Sequence, residues 1–248
     1  MSDRLLGHAE FNAVIIGDGA IGEALRNELL KRPNLAQLTV LSRNQGSAQS
    51  FDRVNHLPID LADERTITAA AERVAAEVTR LHLVINTVGV LHNERLQPEK
   101  RLRDVKHRAL MESFSVNAAL LPLIAQAFGN LLKHEERSVL ASLSARVGSI
   151  SDNRLGGWYA YRAAKAAHNM LLRNIALEWR VSHRRSTVVA LHPGTVQSRL
   201  SEPFITAAYK NRVLTPSESA QYLVDVLDQL AVTDSGGFFD WQGDAIPW

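Results

Sequence analysis

The chain has 248 residues, 46% of them hydrophobic, and a formal charge of only +2. With so few groups titrating above neutrality, the calculated pI near 9.0 does not describe a basic surface, and no Lys or Arg block supports a nucleic-acid partner. Zero cysteines exclude disulfides and thiolate metal sites, so no metal centre is expected and a reducing compartment fits.

The opening stretch, MSDRLLGHAEFNAVIIG, lacks the long apolar core of a signal peptide, and no apolar run reads as a membrane span, so a cytoplasmic protein without a membrane partner is expected. FNAVIIG reads as a buried strand, and AIGEALRNELLKR as an amphipathic helix ending before Pro33. LTVLSR and NHLPID are the second and third strands. LADERTITAAAERVAAEVTR follows as a helix over 61–80, with Asp63 and Glu64 favourable in its first turn. LHLVINTVG is the fourth strand. A long helix over 104–136 contains Pro122, which is placed to kink it. SVLASLS is the fifth strand, and the next helix runs to about Val181. STVVALHPG is the sixth strand. Thr215, Pro216 and Glu218 then spell a capping box at the start of the last helix. GGFFDW reads as a seventh, edge strand. Strand and helix alternate throughout, and the strands are continuously apolar. The expected fold is therefore α/β, one doubly wound parallel sheet of about seven strands with helices on both faces, residues 1–248 forming a single Rossmann-type domain.

Ligands of such sheets sit beyond the carboxyl ends of the strands. The first strand ends in GDGAIG, a GxGxxG of Gly17, Gly19 and Gly22. There the backbone can approach a pyrophosphate, with the helix start at Ala20 and Ile21 offering free N–H groups. A plain tight turn uses the same residues, and methyltransferases share the loop. The second strand ends in Ser42 and Arg43, where a site preferring NAD usually carries a carboxylate. A guanidinium can pair with a 2′-phosphate, so NADP is expected over NAD, the alternative being a solvated Arg43. Asp60 and Leu61 follow the third strand. Asp60 could take the adenine amino group or cap the helix after it.

Tyr161 and Lys165 stand four apart on one helix face. A free phenol has a pKa of about 10, and a nearby cation lowers it toward the range where it exchanges protons with a carbonyl and its alcohol. Of 28 basic residues only 6 are Lys, yet this position holds one. A slim ammonium can touch both a phenol and ribose hydroxyls where a planar guanidinium fits worse.

YAYRAAKAAHN resembles the YxxxK helix of the short-chain dehydrogenase/reductase family, and the likeness extends in order over nearly the whole chain. INTVG resembles the family's NNAG strand end, which implies Asn86 and Gly89 beside the adenosine ribose. SVNAALLPLIAQAF resembles its mid-helix Asn motif, which implies that Asn117 completes a tetrad and holds a water linking Lys165 to solvent. HPGTVQS resembles its PG motif, implying Pro193, Gly194, Val196 and Ser198 around the nicotinamide carboxamide. SARVGSISDNRLGGWYAYR and the ending GGFFDWQGDAIPW are most similar to the C-factor-like and sniffer-like carbonyl reductase branch. The resemblance implies NADPH-dependent reduction of a small-molecule carbonyl, with Tyr161 as general acid/base, Lys165 on the ribose and lowering the phenol's pKa, and a serine orienting the carbonyl. It also implies a homodimer or homotetramer through helices near 104–134 and 158–181. The alternative is a dinucleotide-binding signalling protein with vestigial catalysis; a methyltransferase would have no use for Tyr161 beside Lys165.

Two departures stand out. The phosphate loop is one residue shorter than TGxxxGxG and opens with Ile16. The family's strand ends SSxxG with the second Ser catalytic, and counting back from Gly148 that place is Ala145, with Ser144 one residue early. A one-residue slip turns a strand side chain to the other face, so Ser144 serves only if the frayed strand end twists it inward. Ser142 shares its face a step further back. Trp158, Tyr159, Leu91 and His92 are candidate pocket walls or ordinary packing and solvated residues, and His192 reads as structural. The segment SRLSEPFITAAYKN is short, so an open pocket is expected, with Leu200, Phe204 and Ile205 folded over substrate or docked on the core.

Overall fold

Apolar runs without alternation suit strands covered on both faces. The computed structural model describes residues 5–43, 52–206 and 209–248. Its strands are β1 (Phe11–Ile16), β2 (Leu35–Ser42), β3 (Val54–Pro58), β4 (Leu83–Asn86), β5 (Ser138–Leu143), β6 (Ser186–His192), β7 (Thr195–Val196), β8 (Val213–Leu214) and β9 (Phe238–Asp240). Seven of them form one parallel sheet in the order β3-β2-β1-β4-β5-β6-β9. The strand order reverses between β1 and β4, which opens a crevice beyond their carboxyl ends.

The helices are α1 (Ala20–Leu30), α2 (Glu64–Glu77), α3 (His107–Phe114), α4 (Leu120–Leu132), α5 (Tyr159–Ser182) and α6 (Pro216–Gln229). Successive strand residues point to opposite faces. Val14 and Ile16 thus join Ile67, Leu121, Phe128 and Trp179 under α2, α4 and α5. Ala13 and Ile15 join Leu25, Leu29, Leu223 and Leu227 under α1 and α6. The α6 capping box forms: Glu218 N–H donates to Thr215 Oγ1 (3.2 Å) and Thr215 N–H to Glu218 Oε2 (2.8 Å).

Three local expectations are corrected. Asp63, not Asp60, caps α2, accepting from Arg65 N–H at 3.1 Å, while Asp60 Oδ1 takes Ala62 N–H in the turn before it. The long helix starts at His107, after a 3-10 turn over Leu102–Asp104, and it contains a π turn over Ser115–Ala119. Pro122 offers no N–H to the carbonyl four residues before it, and the wider turn lies where that bond is lost. The run His107–Leu132 is also long and apolar enough to cross a bilayer, contrary to the sequence reading, but half of its most apolar window is buried in the core. Finally, β7 and β8 pair in parallel as a small second sheet that local sequence does not announce. They tie together the two ends of the segment between them, of which Ala207 and Ala208 lie outside the described residues.

Candidate active site

One cleft of about 1630 Å³ runs along the carboxyl ends of the strands, from Gly19 to Trp241. That is larger than most small-molecule pockets, enough for a dinucleotide and a second molecule. At one end β1 turns sharply: Gly17 has φ 104°, a region costly for any side chain. A Cβ at Gly22 would lie 2.2 Å from Gly17 O, so only hydrogen fits where α1 meets the turn. Gly19 caps α1 without a side chain, and a Cβ there would meet nothing within 4 Å. The N–H groups of Ala20, Ile21 and Gly22 therefore open onto the cleft at the positive end of the helix. This cradle fits the diphosphate of a dinucleotide. Arg43 stands in the cleft wall, exposed, with no hydrogen bond or ion pair to the described residues. Its guanidinium is available to a phosphate.

Five expected cofactor residues do not line this cleft, Gly17 among them, since its role is to turn the chain beneath the cradle. Ser42 is buried behind Arg43. Asp60 is exposed in the turn before α2, and Leu61 packs against the core. Asn86 is 3% exposed, donating to Ser142 Oγ (3.0 Å) and accepting from Val88 N–H (3.1 Å). Its amide shapes the strand end instead of facing a ribose. Gly89 does line the cleft, and a Cβ there would lie 3.3 Å from Asn117 Oδ1 and 3.7 Å from Lys165 Nζ.

Tyr161 and Lys165, on α5, meet at the cleft floor, the ammonium 5.9 Å from the ring centre. Lys165 Nζ donates to Leu143 O at 2.8 Å. Burial governs both groups: Lys165 is pushed down to about 8, and Tyr161 is raised above its ordinary value. The phenol is thus shifted upward, opposite to the direction expected from the ammonium, because burial disfavours its charged form. Tyr161 is held in the protonated form, the form that can donate.

Asn117 sits in the π turn, 2% exposed. Its Nδ2 donates to Val90 O (2.8 Å) and Ser113 Oγ (3.1 Å), and its Oδ1 accepts from Val90 N–H (2.9 Å). Both ends of the amide are engaged, so it clamps the loop after β4. Ser144 reaches the cleft wall but donates its proton to Asn169 Oδ1 at 2.6 Å. The frayed strand end thus brings Ser144 inward, yet leaves its hydroxyl committed to α5. Ser142 is fully buried against Asn86. Ala145, at the family's serine place, is half-buried in the cleft wall.

Pro193, Gly194, Val196 and Ser198 all line the cleft beside His192. Gly194 has φ 81°, and a Cβ there would crowd Leu214 and Trp241 at 3.0 Å. Leu91, Leu200, Phe204 and Ile205 line it too, and the segment after β7 folds over the opening. His92 contacts Arg199 O at 3.0 Å, and Phe204 lies 4.9 Å from the Trp158 ring, itself 6.3 Å from that of Tyr161. Tyr159, 38% exposed, points away from the cleft. Asn169 and Glu99, described below, escaped the sequence reading, because their partners are 25 and 61 residues away and no local pattern marks them.

Comparison with known proteins follows this geometry. Residues 12–207 match the family model described as short chain dehydrogenase. The C-signal of Myxococcus xanthus is 35% identical over 148 residues, 59% of this chain and 83% of that protein. A 1-hydroxy-2-glutathionyl-2-methyl-3-butene dehydrogenase of Rhodococcus sp. (strain AD45) is 28% identical over 77% of this chain and 78% of its own. The NADPH-bound carbonyl reductase from chicken fatty liver shares the fold at a TM-score of 0.84, with 24% identity, covering 97% of this chain and all of that one.

Proposed function

Because the chain belongs to the short-chain dehydrogenase family, we propose that it is an NADP-dependent reductase of small-molecule aldehydes or ketones, with Tyr161 moving the proton. The observation that carries this reading is the meeting of three features in one cleft: the Gly19–Gly22 cradle, the guanidinium of Arg43, and a buried Tyr161 next to Lys165. Gly19, Ala20, Ile21 and Gly22 would hold the diphosphate, Arg43 the 2′-phosphate, and Pro193, Gly194, Val196 and Ser198 the nicotinamide end. When bound, the cofactor supplies the hydride.

The chain's own residues do the rest. Tyr161 donates its proton to the carbonyl oxygen as charge develops there. Lys165, with a pKa near 8, is cationic at neutral pH and stabilises the phenolate that remains. Asn117 fixes Val90, and so the loop bordering the reacting centre. Trp158 and Phe204 wall off water on the substrate side. Ser144, its hydroxyl hydrogen-bonded to Asn169, leaves carbonyl activation to Tyr161.

The test is NADPH oxidation against a panel of aldehydes, quinones and diketones, with Tyr161→Phe as the control. We expect turnover by the native chain, and loss in the variant of about 10²–10⁴-fold with NADPH binding intact. Undiminished turnover by Tyr161→Phe would refute the assignment. A second reading, a dinucleotide-binding signalling protein, is favoured by the likeness to C-signal and the committed Ser144; it requires tight NADPH binding with no turnover. Met111 and Phe114 on α3 and Met170, Leu177 and Val181 on α5 are exposed. We assign them to a homodimer face.

A further inference from the structure

The start of α5 is irregular in a way that the reductase reading does not use. Gly156 and Gly157 have φ of 64° and 67°, and Trp158 follows at φ 50°, ψ 44°. It is the one non-glycine residue with positive φ among the described residues. A bulky side chain in this region is strained, and such strain persists only where surrounding contacts over-determine it. Trp158 is also the N-cap of α5, and its indole can donate but not accept, so it offers the first helical amides nothing.

Glu99, in the loop after β4, meets both needs. Its backbone carbonyl accepts Trp158 N–H at 2.6 Å, and its carboxylate Oε2 accepts Ala160 N–H, the second amide of the helix, at 3.1 Å. A Cβ on Gly157 would lie 3.4 Å from Glu99 O, so the glycine lets the two segments approach closely. Glu99 is 5% exposed, and its Oε1 is buried without a partner among the described residues. Burying a carboxylate half-satisfied is costly, and the positive end of a 24-residue helix offsets that cost. Trp158, pinned this way, sets its ring against Phe204 and Tyr161. Relaxing it to an ordinary helical φ means a turn of roughly 110° that swings the indole off both.

We infer that Glu99 is a positioning residue: it caps the helix carrying Tyr161 from a distant loop and locks Trp158 in the left-handed conformation that forms the substrate-side wall. Only the kinetic arm of the test rests on the reductase reading. Full-length Glu99→Ala, Glu99→Gln, Trp158→Gly and the double variant Glu99→Ala/Trp158→Gly are compared by thermal unfolding, NADPH affinity and carbonyl reduction. Glu99→Ala is expected to lower kcat/KM about tenfold, chiefly through KM, with NADPH affinity kept. Glu99→Gln should recover most of this, since its amide oxygen still accepts from Ala160. Glycine needs no help at φ 50°, so Glu99→Ala should lower the unfolding midpoint less in the Trp158→Gly background than in the native one. An equal drop in both backgrounds, or no rescue by Gln, overturns the inference. Should Glu99→Ala fail to fold, recovery of folding in the Glu99→Ala/Trp158→Gly double variant supports the inference, and failure of both overturns it. If the native chain reduces no carbonyl, the reductase reading falls while the unfolding comparison still decides the role of Glu99.

Discussion

Replacing Gly148 by alanine would place a methyl carbon 2.7 Å from Lys165 Cβ and 2.9 Å from the Lys165 carbonyl carbon. Carbon atoms in good contact sit about 3.5–4.0 Å apart, so helix or turn must give by roughly 1 Å. Overpacking of this kind costs ~1–3 kcal/mol, and for a chain this long each kcal/mol lowers Tm by roughly 2–4 °C. Stability loss alone would leave turnover intact. Displacement would not, because the crowded residue is Lys165 itself, held to Leu143 O at 2.8 Å one turn beyond Tyr161. A misplacement of about 1 Å can cost on the order of 10²-fold in rate. We expect Gly148→Ala to melt roughly 2–12 °C lower and, well below its Tm, to reduce carbonyls about 10- to 100-fold more slowly. Gly129→Ala is the control, since its added carbon would press on Trp179 at 3.2 Å, away from the cleft. It should melt lower and keep its kcat. A Gly148→Ala enzyme that melts lower yet turns over at the native rate would refute the reasoning, as would an equal kcat loss in the control.

Ser144→Ala should cost ~1–3 kcal/mol by stranding Asn169 but change kcat less than about tenfold, well short of the 10²–10³ lost with a dedicated oxyanion donor. Ala145→Ser should raise kcat; a hundredfold loss in Ser144→Ala would instead show that its hydroxyl leaves Asn169 for the substrate. Arg43→Asp should weaken NADPH binding about 10- to 100-fold through the lost charged contact and spare NADH, measured by fluorescence titration; an unchanged preference removes Arg43 from the site. His82 and His168 are buried and His192 half-buried, and desolvation pushes their pKa values down to about 4, 3 and 4. Their folded values lie below the unfolded 6.5, so the stability they carry is complete above pH 6.5 and drains as pH falls. The slope reaches ~4 kcal/mol per pH unit once all three are protonated in the unfolded chain. Urea unfolding across pH 7 to about 4 checks this, and a flat midpoint would contradict it.

The parts of this structure that sequence announces are those written in neighbouring residues. Apolar runs and helical periods yield the sheet, Thr215 and Glu218 their cap, and the spacing of Tyr161 and Lys165 a shared face. What stays hidden depends on distance in the chain or on competition between two plausible choices. Asp60 looks like the cap and Asp63 like a first-turn residue, and only the fold shows which amide each reaches. Pro122 announces a distortion but not that it widens the turn around Asn117. Ser144 can be placed near the cleft by counting, but Asn169, which accepts its hydrogen bond, is on another element. The direction of the Tyr161 shift was read from a neighbouring charge, whereas burial, invisible in spacing, decides it.

The short parallel ladder of β7 and β8 has a consequence for how such a chain can diversify. Thr195 and Val196 lie against Val213 and Leu214, and Gln197 N–H reaches Leu214 O at 2.9 Å. The covering stretch is therefore hemmed at its root, like a pouch drawn closed by its string. Residues can be added to or removed from it without moving the seven-stranded platform, since doubling a loop costs only about 0.6 kcal/mol in closure entropy. What the cleft admits can be retailored there, while the floor carrying Tyr161 and Lys165 stays as it is.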